Sequence, residues 1–408
     1  MNNNEKEVKK DTPANVQHSA ETAVERHHKK TKGRGLSTGK KVAISVILVL
    51  YVLVIVAVSV VVFYRPRIEN MTRVYYETVT DTHGNVIDKI EHVMTRDEES
   101  YNILLLGHDR AAMLTDVFML VNINNRDHSI TIMQIPRDTW ISNHNGIYIP
   151  TNKINALFNT YYYGYYRENF DSDKSYDMAL QSVADSLEGS LEIEIDYSAI
   201  MDLNGFRNIV DILGGVDIYV EQPMYYSDPA QGLYINIPAG QQTLNGEQAE
   251  GFVRYRAGYT TADLGRQNAQ KQFLAALFSK VKGSLSLSNV SQLTELANEI
   301  FVNIKTDMNA GDLLYFAQCI LQCDLSTMNM MTMPGNLAGG YYVMNRAAML
   351  QVIGGSYHVY DGELTDGMFD KAQIFNGSSY AYYLPAENVY DNSVYNGEDA
   401  DGIYIPRH

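Results

Sequence analysis

Residues 252–270 read FVRYRAGYTTADLGRQNAQ and gather Arg254, Arg256 and Arg266 beside Asp263 and Gln270. A further arginine, Arg137, sits in a Pro136-Arg137-Asp138-Thr139 segment that ends an apolar run. Guanidinium groups hold phosphate oxygens through paired, planar hydrogen bonds that an ammonium group cannot make. Arginines clustered in an acidic chain suit one specific anionic ligand; they suit surface ion pairs with Asp or Glu equally well. In strand geometry, FVRYR places Phe252, Arg254 and Arg256 on one face, with the two guanidinium groups roughly 7 Å apart. Arg266 and Gln270 are spaced i,i+4 on a helix whose apolar face is Leu264, Phe273, Leu274, Leu277 and Phe278. Arg266 falls in the first turn, where the helix dipole favours an anion.

A second cluster is acidic. Asp109 follows the run Asn102–Gly107 (NILLLG), and Asp116 precedes the next apolar run. A loop at the end of a buried strand is where α/β folds place ligands. Two carboxylates with few other ligands suit Mg²⁺ (or Mn²⁺), which keeps water and completes its shell from substrate phosphate. The same two aspartates also suit simple loop capping.

Elements must hold these residues in place. Helix patterns cover 152–162, 175–188, 202–213 and 263–282, and strand candidates 191–197 and 216–221 lie between them. DVFMLVNIN and HSITIMQIP are strands joined by an NRDH turn, so part of the sheet is antiparallel. The expected fold class is α/β: a three-layer α/β/α domain with a mixed central sheet. Before it, YYETVTD and VIDKIEHV flank a THGN turn and predict a hairpin. Cys319 and Cys323, spaced i,i+4 in an apolar pattern, read as buried small hydrophobes.

Charge is unevenly spread. Residues 1–41 carry ten of the chain's 32 Lys/Arg and five of its 48 Asp/Glu, which leaves 22 against 43 for the rest. An acidic bulk excludes a general nucleic-acid surface. Val42 to Phe63 contains no charged residue and as a helix would reach roughly 33 Å, the thickness of a bilayer core. Basic residues precede it, so the expected arrangement is a cytoplasmic tail (1–41), one transmembrane helix (42–63), an extracellular stalk (64–100), a catalytic domain (101–355) and a flexible acidic Tyr/Asp/Gly-rich tail (356–408).

The ordered motifs NILLLGHD, TDVFMLVNIN, ITIMQIPRDTW, KINALF, GFRNIVDILGGVDIYV, IPAGQQTLNGEQA, VRYR and DLGRQNAQKQ resemble the LytR-CpsA-Psr family of cell-wall ligases. The resemblance implies a membrane-anchored extracellular phosphotransferase. It would move a glycopolymer (teichoic acid, capsule or similar) from a polyprenyl-diphosphate carrier to peptidoglycan; the alternatives are a lipid-diphosphate hydrolase and a non-catalytic cell-envelope regulator or lipid-binding module. It implies Mg²⁺ at Asp109 and Asp116, and diphosphate at Arg137, Arg254, Arg256, Arg266 and Gln270. Arg254, Arg256 and Asp263 become catalytic candidates, with Asp263 or Asp109 taking the acceptor proton. One departure stands out: Leu114 occupies the place of an arginine of the family's pattern, Thr115 replaces a serine, and Arg110 comes one place early.

Overall fold

The expected hairpin is present as β1 (Thr72–Thr80) and β2 (Val86–Thr95), turning at Asp81–Asn85, where Gly84 takes a φ of 82°. The next apolar runs form β3 (Ser100–His108), β4 (Thr115–Asn124) and β5 (Ser129–Ile135), each antiparallel to its neighbour. β6 (Tyr197–Asp202) joins β3 in parallel, and β12 (Asn329–Thr332) joins β5 in parallel. With β11 (Lys305–Thr306), the order is β11-β6-β3-β4-β5-β12, a mixed sheet. In the computed structural model, residues 64–362 and 375 are described, apart from 67, 69, 70, 109–112, 143–147, 230, 231, 260–262, 285–297 and 325–327. The expected tail 1–41, the apolar run 42–63 and Asp109 lie outside these residues. Among the described residues, no helix is long and apolar enough to cross a membrane.

Alternate strand residues serve two cores. Leu104, Leu106, Phe118, Leu120, Met133 and Ile135 pack with helices α1 (Leu157–Asn169) and α2 (Ser172–Leu191). Ile103, Met119, Val121, Ile123, Ile130 and Ile132 face the other way, toward α5 (Asp263–Ser284) and α6 (Ala310–Gln322). Each full burial of such a side chain contributes about 1.5–3 kcal/mol, so the two-sided burial dominates the packing. Three layers, α/β/α, result. Cys319 and Cys323 are buried free thiols in α6 and just after it, and burial raises them to about 12 and about 11. At those values neither is a thiolate nucleophile.

A third core lies beside the sheet. β7 (Val216–Val220) pairs with β10 (Gly240–Leu244), and β8 (Met224–Asp228) with β9 (Leu233–Ile237), all antiparallel. Their buried residues pack with Val210 of α3 (Leu203–Ile212), Phe252 of α4 (Gly246–Arg254) and Phe273 of α5. A short antiparallel pair, β13 (Gly335–Ala338) and β14 (Tyr341–Met344), and helix α7 (Arg346–Val352) follow.

Two expectations about the ends of elements change. The strand expected at 191–197 is instead the end of α2 and a loop; the strand is Tyr197–Asp202. Leu-Glu-Ile-Glu-Ile alternates like a half-buried strand. The helical series Leu180, Val183, Ala184, Leu187, Leu191 stays buried, however, and Glu192 ends the helix with a φ of 51°. The chain also remains packed beyond 355. Tyr357 is fully buried and donates its hydroxyl hydrogen to the Leu120 carbonyl at 3.1 Å, Tyr360 is buried beside Met94, and Phe375 joins the first core.

Burial at the end of α2 raises the Glu188 carboxyl to about 7, with Glu194, Asp185 and Asp196 adding to the shift. The folded protein therefore prefers Glu188 protonated, and this group subtracts stability as pH climbs from the usual carboxylate range through 7. Glu188→Gln keeps an acceptor for the Ile195 amide, which Glu188 now holds at 2.6 Å. Thermal melts should show the variant more stable than the parent at about pH 8, with the gain shrinking at about pH 4. A constant gain at both would contradict the assignment.

Candidate active site

The C-terminal end of β5 leads into a tight turn. The Thr139 amide and hydroxyl both donate to the Pro136 carbonyl, at 2.9 and 2.6 Å. This fixes Arg137 and Asp138 at the sheet edge. There Arg137 Nη1 donates to Asp116 Oδ1 at 2.6 Å, and Lys153 Nζ donates to Asp138 Oδ1 at 2.9 Å. The Asn155 amide donates to the Arg137 carbonyl at 3.2 Å, which ties the KINALF segment to the same turn. Asp116, Arg137, Asp138 and Lys153 thus form a row of alternating charge.

Beside it, the start of β4 meets the end of β3: His108 pairs with Thr115 across a register shift. His108 Nε2 is 2.6 Å from the Tyr176 hydroxyl, which anchors the β3 end to α2. Asp109 is the next residue in sequence. Leu114, in the place of the family's arginine, packs against the first core. It adds an apolar contact at this edge and carries no charge.

The arginine segment differs from its expected form. FVRYR is not a strand: Gly246–Arg254 is helix α4, so Arg254 and Arg256 do not share a strand face. The reason is local. The Asn245 side chain accepts from the Gln248 amide at 2.9 Å and Gln248 accepts from the Asn245 amide at 3.1 Å, a capping box that starts a helix. Gly246 lies against the Arg207 carbonyl, where a side chain would collide, so α3 and α4 approach closely. Arg254 closes the helix in its last turn, Tyr255 is extended, and Arg256 is exposed in the following turn.

Arg254 Nη1 donates to Glu250 Oε1 at 2.5 Å, and Arg207 Nε donates to the other carboxylate oxygen. Glu250 is buried and so is held between two guanidinium groups. On α5, Arg266, Gln267 and Gln270 are all buried. Gln270 connects the pieces: its Oε1 accepts from Gln134 Nε2 of β5 at 2.5 Å, and its Nε2 donates to the Val253 carbonyl of α4 at 3.2 Å. The Thr332 hydroxyl of β12 is 3.5 Å from Gln267 Oε1. Gln134 stands three residues before Arg137 and Val253 one before Arg254, so Gln270 links both arginine-bearing chain ends.

The structure therefore brings Asp116 to Arg137, and joins Gln270 and its helix neighbour Arg266 to the ends that carry Arg137 and Arg254. Asp109 and the Asp263 side chain lie outside the described residues. Glu250, Gln134, Gln267, Lys153 and the His108–Tyr176 pair were not anticipated. Glu250 had a signal, being i,i+4 to Arg254; Gln134 had one too, as a polar residue on the buried Ile130–Ile132 face. Among the described residues no group of three His, Cys, Asp or Glu side chains could hold a metal. Asp116 still offers an oxygen ligand, since its side chain is 43% exposed while paired to Arg137. A polar cavity of about 410 Å³, lined by Ser100, Asn124 and His358 among others, opens at the other end of the sheet. It holds none of these residues, so the side-chain network locates the candidate site better than cavity size does.

The buried mixed sheet, with a carboxylate and a guanidinium paired at its strand ends, makes this a mixed α/β domain. The model of the LytR_cpsA_psr family matches residues 70–365, and the chain belongs to that family. The cell wall biosynthesis protein LcpA of Corynebacterium glutamicum is 29% identical over 56% of this chain and 42% of its own length. The polyisoprenyl-teichoic acid–peptidoglycan teichoic acid transferase TagU of Bacillus licheniformis is 23% identical over 58% of this chain and 72% of its own. The chain thus spans less than half of LcpA. The crystal structure of B. subtilis TagV is 23% identical, with a TM-score of 0.49, over 63% of this chain and 95% of that one.

Asn245→Ala should cost about 1 kcal/mol of stability through the lost cap. Urea unfolding measures this, and an unchanged midpoint would show that α4 starts without its cap.

Proposed function

We propose that this chain is a membrane-anchored extracellular phosphotransferase. It moves an anionic glycopolymer from a polyprenyl-diphosphate carrier to peptidoglycan. The observation that carries the reading is the network through Gln270, which ties the ends bearing Arg137 and Arg254 to the helix bearing Arg266. Guanidinium groups from three chain segments suit a diphosphate, which offers oxygens on two phosphorus atoms. The activity for which TagU of B. licheniformis is named, transfer of teichoic acid to peptidoglycan, supports the same reading. The apolar run 42–63, with basic residues before it, supports the anchor.

In the proposed reaction, an acceptor sugar hydroxyl attacks the phosphorus nearer the glycopolymer. The new P–O bond forms as the bond to polyprenyl phosphate breaks, and the leaving phosphate takes the electron pair. The hydroxyl proton passes to an aspartate, Asp109 or Asp263. Arg137, Arg254, Arg256 and Arg266 neutralise charge on the transferred phosphoryl and the leaving phosphate. Their present partners Asp116 and Glu250 hold two of them in place before substrate arrives. Asp116, with Asp109, would hold Mg²⁺, which would add a further positive charge beside the phosphates. An exposed carboxylate offering only oxygen fits such a hard cation.

The test uses the full chain with a lipid-diphosphate-linked saccharide, peptidoglycan oligomers and Mg²⁺. Linked glycan should form, and Arg254→Ala or Arg137→Ala should lower the rate about 100-fold, with lysine restoring little. Full activity in both variants would defeat the site assignment. Release of saccharide phosphate without linked product would show a hydrolase instead. Separately, Asp116→Asn should weaken Mn²⁺ binding, read by electron paramagnetic resonance without substrate; unaltered binding would place the cation elsewhere.

A further inference from the structure

The ribbon beside the candidate site carries tyrosines that its fold does not need. β7 runs on into β8 through residues 221–223, and β9 into β10 through 238 and 239. The two pairings, Val220 with Gly240 and Met224 with Ile237, therefore make one long antiparallel ribbon with a break at its middle. Strand alternation divides its residues. One face buries Val216, Ile218, Val220, Met224, Ile235, Ile237 and Leu244 in the core against α4 and α5. The opposite face holds Tyr219, Tyr225 and Tyr234, which are 55%, 61% and 63% exposed.

What stands across from each tyrosine is informative. Tyr219 pairs with Gln241, Tyr225 with Asn236, and Tyr234 with Ser227. Each of these three tyrosines thus faces a neutral amide or hydroxyl, with Cβ atoms about 5 Å apart, while Tyr226, 41% exposed, pairs with Ile235. The remaining outward pair is Asp217 with Thr243, and that carboxylate already accepts from the Thr243 hydroxyl at 2.5 Å and lies 3.6 Å from Lys280 Nζ. Within the paired strands the face therefore presents aromatic rings beside neutral hydrogen-bonding groups, and its one charge there is compensated; the exposed Glu221 lies in the break between them. This matters in a chain of net charge -16. A charged partner would be met by charge; a lipid or protein core would be met by aliphatic side chains, which this face lacks.

We propose that this ribbon face binds a neutral glycan strand. The C–H face of a pyranose ring stacks on a tyrosine ring, and the amide or hydroxyl opposite reaches the ring's hydroxyl and acetamido groups. The ribbon's other side rests on α4 and α5, the helices that carry Arg254, Arg266 and Gln270. Gln272 of α5 also donates to the Tyr219 carbonyl at 3.0 Å, so the platform and the candidate site share one support. The glycan is then the acceptor strand, a step that rests on the transferase reading; glycan binding itself does not.

The test measures binding of the full chain to a soluble hexamer of β-1,4-linked N-acetylglucosamine by titration calorimetry, with no donor present. Failure of transfer therefore leaves this result readable. The triple variant Y219A/Y225A/Y234A should bind at least about tenfold more weakly, because each stacked ring contributes a separate increment. Phenylalanine at the same three positions should retain most of the affinity. Tyr163→Ala, an exposed tyrosine on α1, should change nothing, and matched melting curves check that the fold is kept. The proposal is overturned if the parent does not bind the hexamer, if the triple alanine variant binds equally well, or if the Tyr163 variant loses as much.

Discussion

The two-sided burial of the central sheet constrains everything else. β3, β4 and β5 place apolar side chains against helices on both faces, and unpaired polar groups there would carry a heavy desolvation penalty. Polar chemistry is left to the strand ends and to whatever packs beside them. The end of β5 and the start of β4 meet at one edge, so Arg137 and Asp116 face each other for reasons of topology. The departures from apolar burial are informative: Gln134 is a buried amide on an otherwise aliphatic face, and its partner is Gln270.

The candidate site is held together by opposite charges and amides. Asp116 holds Arg137, and Glu250 holds both Arg254 and Arg207. Buried or half-buried guanidinium groups need such partners, because an unpaired charge away from water is costly. The same pairing keeps long, flexible side chains in one arrangement, which would lower the ordering cost of binding an anion. Gln270 then couples the two arginine-bearing ends through hydrogen bonds at 2.5 and 3.2 Å, without adding charge. Leu114 extends the apolar core to the edge where the family's pattern places an arginine, so that position carries no charge here.

Much of the architecture was legible because it depends on short-range rules. The continuous apolar run NILLLG and the β-rich runs TDVFMLVNIN and SITIMQI announced strands, the NRDH turn announced antiparallel pairing, and the apolar spacing after Asp263 announced α5. The misread segments are those where two periods compete. FVRYR alternates like a strand, yet the capping box at Asn245 and Gln248 starts a helix that runs through Arg254. LEIEI alternates too, yet it follows a helical series that buries Leu187 and Leu191. Windows of five residues cannot separate these cases, whereas the preceding cap or the longer series can.

By itself, the sequence determined the residue types available for phosphate chemistry, the mixed α/β class and the apolar run before the domain. These follow from composition and local periodicity, which need no knowledge of distant neighbours. Only the tertiary structure decided which groups meet. Arg137 and Asp116 are 21 residues apart, Gln134 and Gln270 are 136 apart, and Arg207 and Glu250 are 43 apart. Such pairs form because the sheet order and the packing of α4 and α5 bring their segments together. The tyrosines of the ribbon show the same division. They lie on three strands, and only the pairing register put them on one face and set each of them opposite an amide or a hydroxyl.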